Sequence, residues 1–145
     1  MVKVLVVQGA GMNMRGKAQI DIFGTDTLDQ INARIRDWAK GLGIELEIFH
    51  SNIEGEVVNK LYAAHDSGVD AVVMNPAGYT TGTGPLLGAI TQIKCPVIEV
   101  HASNPSARGT VSQVQRVSKG LVYGFGYFGY YLALQAVKDL ASKKK

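Results

Sequence analysis

Glu99 and His101 stand two residues apart at the end of an apolar run, Pro96-Val97-Ile98-Glu99-Val100-His101. On a strand, residues at that spacing point to one face, which sets a carboxylate beside an imidazole. Such a neighbour favours the charged ring and fixes its orientation, as a general acid working near neutral pH requires. A hydrogen-bonded histidine with no chemistry would show the same spacing, and on spacing alone the two readings stand level. Asn75, ahead of Pro76, ends a second apolar run and either starts a turn or aims a two-way amide into a cleft. Ser103 and Asn104 offer small donors and free backbone amides suited to an anion. Arg108, further along the same loop, either clamps a carboxylate or is solvated. His50 and His65 have no such partner and read as solvated. The three histidines and single cysteine show no metal-ligand spacing. Cys95, just before Pro96, reads as a small buried hydrophobe.

Several familiar sites are excluded. Gly9-Ala10-Gly11 starts like a dinucleotide-binding turn, but Met14 occupies the place of its third glycine. No phosphate-binding Gly-Lys-Ser/Thr run and no Gly-x-Ser-x-Gly nucleophile elbow occur.

The elements that must position these residues alternate along the chain. Val4 to Val7 is a continuous apolar run of the kind found in parallel strands covered on both faces. Met12 to Asp26 is polar and glycine-punctuated, too long for a simple connection and suited to a lid or binding loop. Thr27-x-x-Gln30 is a capping box, and Leu28, Ile31, Ile35, Trp38, Ala39 and Leu42 follow at helical spacing. Ile44 to His50 alternates as an edge strand does. A helix from about Glu54 to Ser67 turns Val57, Val58, Leu61, Tyr62 and Ala64 inward. Val69 to Met74 is a third strand, Pro85 opens a short helix to Gln92, and Pro96 to His101 is the fourth strand. Gly120 to Gly126 makes a fifth strand, and Tyr130 to Ser142 the last helix. This alternation calls for an α/β fold, a doubly wound five-stranded parallel sheet of flavodoxin-like order 2-1-3-4-5. Ligands of such sheets bind outside the carboxyl ends of the strands. Gln8 to Asn13, Asn75 to Tyr79 and Glu99 to Asn104 should therefore converge.

The bulk numbers agree with one domain over residues 1–142 and a basic tail at 143–145. A chain of 145 residues can bury roughly two-thirds of its unfolded surface without a metal or disulfide. Hydrophobic residues make up 46% and charged residues 19%, a globular composition. The net charge of +3 equals the contribution of Lys143-Lys144-Lys145. With no basic face interleaved with aromatics, nucleic-acid binding is not expected. Neither is a membrane span, because the apolar amino-terminal stretch is too short. One cysteine excludes an internal disulfide and fits the cytoplasm.

Four segments resemble the type II 3-dehydroquinate dehydratases. They are Ser51-Asn52-Ile53-Glu54-Gly55-Glu56, Val73 to Thr80, Ile98-Glu99-Val100-His101-Ala102-Ser103-Asn104, and Gly124 to Tyr130. The likeness spans nearly the whole chain with the motifs in order. It implies removal of water from 3-dehydroquinate through an enolate, without metal or organic cofactor, in a dodecamer built from trimers. It implies that His101 is the general acid, Glu99 its orienting partner and Asn75 a substrate anchor. Ser103 and Asn104 would lie at the carboxylate end, Arg108 matches an arginine of the family's following loop, and Asn13, Tyr79 and Thr81 would border the substrate.

The departures carry equal information. The family's lid tyrosine, the proton-abstracting base, falls on Phe23, and the lid arginine that activates it falls on Ala18. A first-strand asparagine falls on Gly11, a histidine on Thr81 and a substrate-clamping arginine on Ser112. Phenylalanine has no ionisable hydrogen, and loss of a positioned base costs about 10²- to 10⁴-fold in rate. Two readings follow: a lyase acting on 3-dehydroquinate or a related small hydroxy acid with His101 retained, or a metabolite-binding homologue that keeps fold and assembly. For the lyase, Tyr79, Arg15, Lys17 and Asp21 are candidates to complete the site.

Overall fold

The longest buried run forms the centre of the sheet. In the computed structural model, which describes residues 1–143, strand β1 spans Val2–Ala10 and is buried from Val4 to Gly9. It pairs in parallel with β2 (Ile44–His50) on one side and β3 (Ala71–Ala77) on the other. Strands β4 (Val97–His101) and β5 (Gly120–Tyr123) continue outward, giving five parallel strands in the order 2-1-3-4-5. This is the flavodoxin-like, doubly wound arrangement expected from the alternation of elements.

Helices cover both faces. Helix α1 (Ile20–Phe23) is a single turn inside the first loop; α2 (Leu28–Gly41) and α5 (Phe128–Ser142) pack on one side of the sheet. There Ile31, Ile35, Tyr130 and Leu134 meet Val4, Val6, Val73 and Val100. Helices α3 (Glu54–Ser67) and α4 (Gly84–Gln92) cover the other, where Leu61 and Leu86 meet Leu5, Val72 and Val97. Thr27 caps α2 as its spacing requires: its hydroxyl accepts from the Gln30 amide at 3.2 Å, and the Gln30 side chain accepts from the Thr27 amide at 2.9 Å.

Several boundaries differ from the sequence expectation, each for a local reason. Strand β5 stops at Tyr123, because Gly124 turns left-handed (φ 91°) and donates back to the His101 carbonyl at 3.1 Å. Helix α5 begins at Phe128, two residues early, where Gly129 lets it settle closely on Val100 and Val122. Strand β3 runs on to Ala77 through Pro76, beyond the point where its pairing with β4 ends at Met74 and Glu99. That early end opens the sheet at the carboxyl side. Tyr62 lies outside the buried stripe of α3 and is exposed, with its hydroxyl accepting from Gln92. His65 is not simply solvated, since its Nδ1 accepts from the Lys94 amide at 2.9 Å. His50 is half-buried, and its Nε2 has no hydrogen-bond partner among the described residues. Of the basic tail at 143–145, Lys144 and Lys145 lie outside the described residues. No helix among the described residues is long and apolar enough to cross a membrane.

Candidate active site

A cavity of about 420 Å³ opens at the carboxyl ends of β1, β3 and β4. Asn75, His101, Ser103 and Arg108 line it from the sheet and its following loop, and Arg15, Ala18 and Phe23 from the long loop after β1. Sheet opening explains the place: β1 and β3 stay paired to Ala77 while β4 departs at Glu99. Gly9 is needed at the closed side, because a Cβ there would come within 2.0 Å of the Pro76 carbonyl oxygen.

Glu99 is fully buried and receives three donors. His101 Nε2 lies 2.6 Å from its Oε2, the Ser112 hydroxyl donates to the same oxygen at 2.6 Å, and the Tyr123 hydroxyl donates to Oε1 at 2.9 Å. A carboxylate can only accept here, so Nε2 carries the hydrogen and Nδ1 is the ring nitrogen left for a ligand. The Tyr123 ring stands edge-on to the imidazole with centroids 4.7 Å apart, holding it from the side. Burial, and secondarily the Glu99 charge, push the Tyr123 phenol well above its ordinary range. It remains a donor.

Asn75 reaches the cavity from the opposite face of the sheet. Its residue parity matches Ala71 and Val73, whose side chains pack with α2 and α5, whereas Glu99 and His101 share parity with Val97 on the α3 and α4 side. The Asn75 Nδ2 donates to the Tyr130 hydroxyl at 2.9 Å, and its Oδ1 accepts from the Ala77 amide at 3.2 Å. Tyr130 in turn donates to Gln8 Oε1 at 2.6 Å, and Gln8 Nε2 donates to Asn32 at 3.0 Å. These contacts fix which end of the amide faces which way. One Nδ2 hydrogen is left for a ligand. Burial drives the Tyr130 phenol far above its ordinary range.

The loop between β1 and α2 closes over this end. A turn of 3-10 helix at Met12–Met14 is followed by Gly16 (φ 80°), where a Cβ would lie 2.8 Å from the Thr25 carbonyl oxygen. The two stems of the loop therefore touch. The Tyr127 hydroxyl donates to the Phe23 carbonyl at 2.9 Å and ties the loop to the start of α5. The Arg15 guanidinium lies over the Phe23 ring, 3.8 Å from its centroid, a contact worth about 0.5–2 kcal/mol. Burial lowers the Arg15 pKa, and the Tyr127 and Tyr130 hydroxyls act against that.

The sequence model of the class II dehydroquinases matches residues 2–138. The chain belongs to that family. The 3-dehydroquinate dehydratase of Syntrophotalea carbinolica is 42% identical over 143 residues, covering 97% of each chain. That of Pelobacter propionicus is 40% identical over 97% of this chain and 96% of its own. Among solved structures, the type II dehydroquinase of Butyrivibrio crossotus superposes with a TM-score of 0.90 at 29% identity, covering 94% of this chain and 97% of its own. A 3-dehydroquinate dehydratase-like protein of Bifidobacterium longum gives 0.76 at 35% identity, with 98% and 99% covered. As a class II dehydroquinase the chain is a dehydratase, a lyase by reaction type.

In this dehydroquinase the residues singled out from the sequence divide into two groups. His101, Asn75, Ser103, Arg108, Phe23 and Ala18 line one cavity, and Glu99 stands directly behind His101. Tyr79, Thr81, Asn13 and Asn104 are not on the wall. Tyr79 turns away to donate to the Ser51 carbonyl at 3.1 Å, and burial followed by Glu54 and Glu56 raises its pKa, which makes it a poor base. Thr81 is exposed beyond the turn that follows β3. Asn13 accepts from Asn52 on the outside of the loop, and Asn104 caps the turn Pro105–Arg108 by accepting from the Ser106 amide. Gly11, in the place of the family's asparagine, donates its amide to Asn52 at 2.8 Å. Sequence reasoning did not anticipate Tyr123 or Tyr130, had Gln8 only at the start of a strand end expected to converge on the site, and had Ser112 only as a lost arginine. The signal for Tyr123 is the β4–β5 register, which sets it beside His101 and is invisible until the strands are paired.

Proposed function

We propose that this dehydroquinase removes water from 3-dehydroquinate, or from a closely related small hydroxy acid, with His101 as its acid–base group. The observation that carries this reading is the buried Glu99–His101 pair opening onto the same cavity as Asn75. Glu99 keeps the imidazole in the tautomer whose Nδ1 is bare, a proton acceptor in the neutral ring and a donor once protonated. Among the described residues lining the cavity, His101 has the one imidazole, a side chain with a lone pair to take a proton and an N–H to return it. Phe23 cannot take a proton. We therefore assign both transfers to His101, removal of the proton α to the ketone and its delivery to the departing β-hydroxyl. Ser103 and Arg108, joined by a 2.6 Å hydrogen bond, supply the cation and hydroxyl suited to the substrate carboxylate. Asn75 offers its remaining amide hydrogen to a substrate oxygen. The relatives named above are dehydratases of 3-dehydroquinate, which supports that substrate first.

The test is spectroscopic. Purified protein mixed with 3-dehydroquinate should develop the ultraviolet absorbance of a conjugated enone, and His101→Ala should abolish it. The double variant Phe23→Tyr/Ala18→Arg should be faster than the wild type, because it restores a lid base and its cation. No turnover, together with thermal stabilisation by the compound, would move the protein to the metabolite-binding reading. The family's trimer-based dodecamer and a cytoplasmic setting are part of the proposal, and light scattering of the purified protein checks the assembly.

A further inference from the structure

Arg15 has no counter-ion among the described residues. It is half-buried, it lines the cavity, and no carboxylate among the described residues lies within ion-pair distance of it. Asp26, an acidic residue of the same loop, is engaged 3.1 Å from Arg34. The Phe23 ring lies beneath Arg15, the Tyr127 hydroxyl interacts with its side chain, and the Tyr130 phenol acts on it only electrostatically. A guanidinium stacked on an aromatic ring has its plane fixed, and its five N–H donors outnumber what the Tyr127 hydroxyl can take, which leaves N–H groups for an oxyanion. A cation partly withdrawn from water without a counter-ion is costly unless a ligand supplies the charge.

Arg15 and Asn75 line the same cavity, and the Asn75 Nδ2 that donates to the Tyr130 hydroxyl at 2.9 Å keeps one hydrogen for a ligand there. Ser103 and Arg108 are reserved by their mutual hydrogen bond at the loop after β4. The wall thus carries two separate cations and no carboxylate of its own. One suits a carboxylate present throughout the reaction. The other suits charge that appears only during it.

We propose that Arg15 contacts the substrate and holds the enolate oxygen formed when the α-proton leaves. The inference rests on the dehydratase reading above. In the first step the α C–H bond breaks, the proton goes to His101 Nδ1, and the electron pair moves onto the ketone oxygen beside Arg15. In the second, the enolate reforms the carbonyl, the new C=C bond forms, and the C–O bond to the β-hydroxyl breaks. That oxygen takes the His101 proton and leaves as water. Arg15 comes three residues before the alanine that replaces the family's lid arginine, so positive charge is supplied to the cavity from a different point of the loop. Phe23, in the place of the lid tyrosine, becomes its platform.

The experiment measures kcat and KM for 3-dehydroquinate with Arg15→Gln and Arg15→Lys, alongside exchange of the α-proton in heavy water. Arg15→Gln should lower kcat by about 10²- to 10³-fold, the usual effect of removing one oxyanion donor, with KM changed less than threefold. Arg15→Lys, which keeps the charge without the flat fork, should retain at least tenfold more activity than Arg15→Gln and guards against a folding defect. Both variants within threefold of wild type would overturn the inference and leave the dehydratase reading standing. So would a rise in KM alone, which would make Arg15 a ground-state anchor. Wild-type protein that neither eliminates water nor exchanges the α-proton would overturn both.

Discussion

Replacing Glu99 by glutamine preserves size and removes the charge that organises the imidazole. Three donors converge on this fully buried carboxylate at 2.6, 2.6 and 2.9 Å, and an amide can accept at only one of its two ends. If the amide oxygen takes the Oε2 position, His101 and Ser112 keep an acceptor, and the Tyr123 hydroxyl turns to accept from the amide NH₂. Charge-assisted bonds are roughly twice as strong as neutral ones, so this arrangement costs about 1–3 kcal/mol in total. For a domain of this size that is a fall of about 3–10 °C in Tm. If the amide turns the other way, its NH₂ faces His101, which must then present a bare Nε2 and carry its hydrogen on Nδ1. The nitrogen that faces the substrate would lose its lone pair. Either way catalysis suffers more than stability, and a wrong or unfixed tautomer costs about 10²- to 10⁴-fold in kcat. The assay is enone formation from 3-dehydroquinate together with urea unfolding on one preparation. A Glu99→Gln enzyme within threefold of wild-type kcat would refute the argument that this carboxylate sets the imidazole's role.

Other expectations follow from the same geometry. Tyr130→Phe removes the hydroxyl between Asn75 and Gln8 and leaves two buried groups unpartnered, a loss of about 2–5 kcal/mol readable by urea unfolding. A Tyr130→Phe/Gln8→Leu double variant should not recover it, because Asn32 Oδ1 then loses its donor in place of Gln8 Oε1. Gly9→Ala drives a methyl against the Pro76 backbone and should destabilise by about 1–3 kcal/mol while displacing Asn75, seen as a parallel loss of Tm and kcat. The folded chain holds Tyr130 neutral far above the ordinary phenol range, so its contribution is complete below about pH 10 and is lost as pH rises toward the folded value. Unfolding free energy should therefore fall by about 1.4 kcal/mol per pH unit from this group beyond pH 10, and Tyr130→Phe should flatten that slope. On the proposed assignment of both proton transfers to His101, the α-hydrogen lost should be the one on the same face as the departing hydroxyl. Substrate deuterated stereospecifically at that carbon decides this by mass spectrometry, and loss from the opposite face would remove His101 as the base.

Local pattern settled a good part of this protein before any coordinates. Thr27 and Gln30 announced a helix start, the apolar runs announced buried parallel strands, and their alternation with helices implied the sheet order. The two-residue step from Glu99 to His101 was enough to join carboxylate and imidazole, because side-chain direction within one strand is a matter of parity. Motif order across the chain likewise carried the family. What lay beyond reach depended on distances between elements. Asn75 and His101 sit on opposite faces of the sheet and meet only because β4 leaves β3 at Glu99. Tyr123 stands beside His101 through strand register, and Tyr130 supports Asn75 from 55 residues away. Asn13, Tyr79, Thr81 and Asn104 have the right chemistry next to the right strand ends, yet Asn13, Tyr79 and Asn104 are taken up by nearer partners and Thr81 is exposed. Arg15 belongs to no motif and was one of several loop candidates in the sequence; it enters the cavity because Gly16, Thr25 and Tyr127 fold its loop back over the sheet. Spacing along the chain determines which way a side chain leaves its own element, whereas strand register and loop return, set by long-range packing, determine what it meets there.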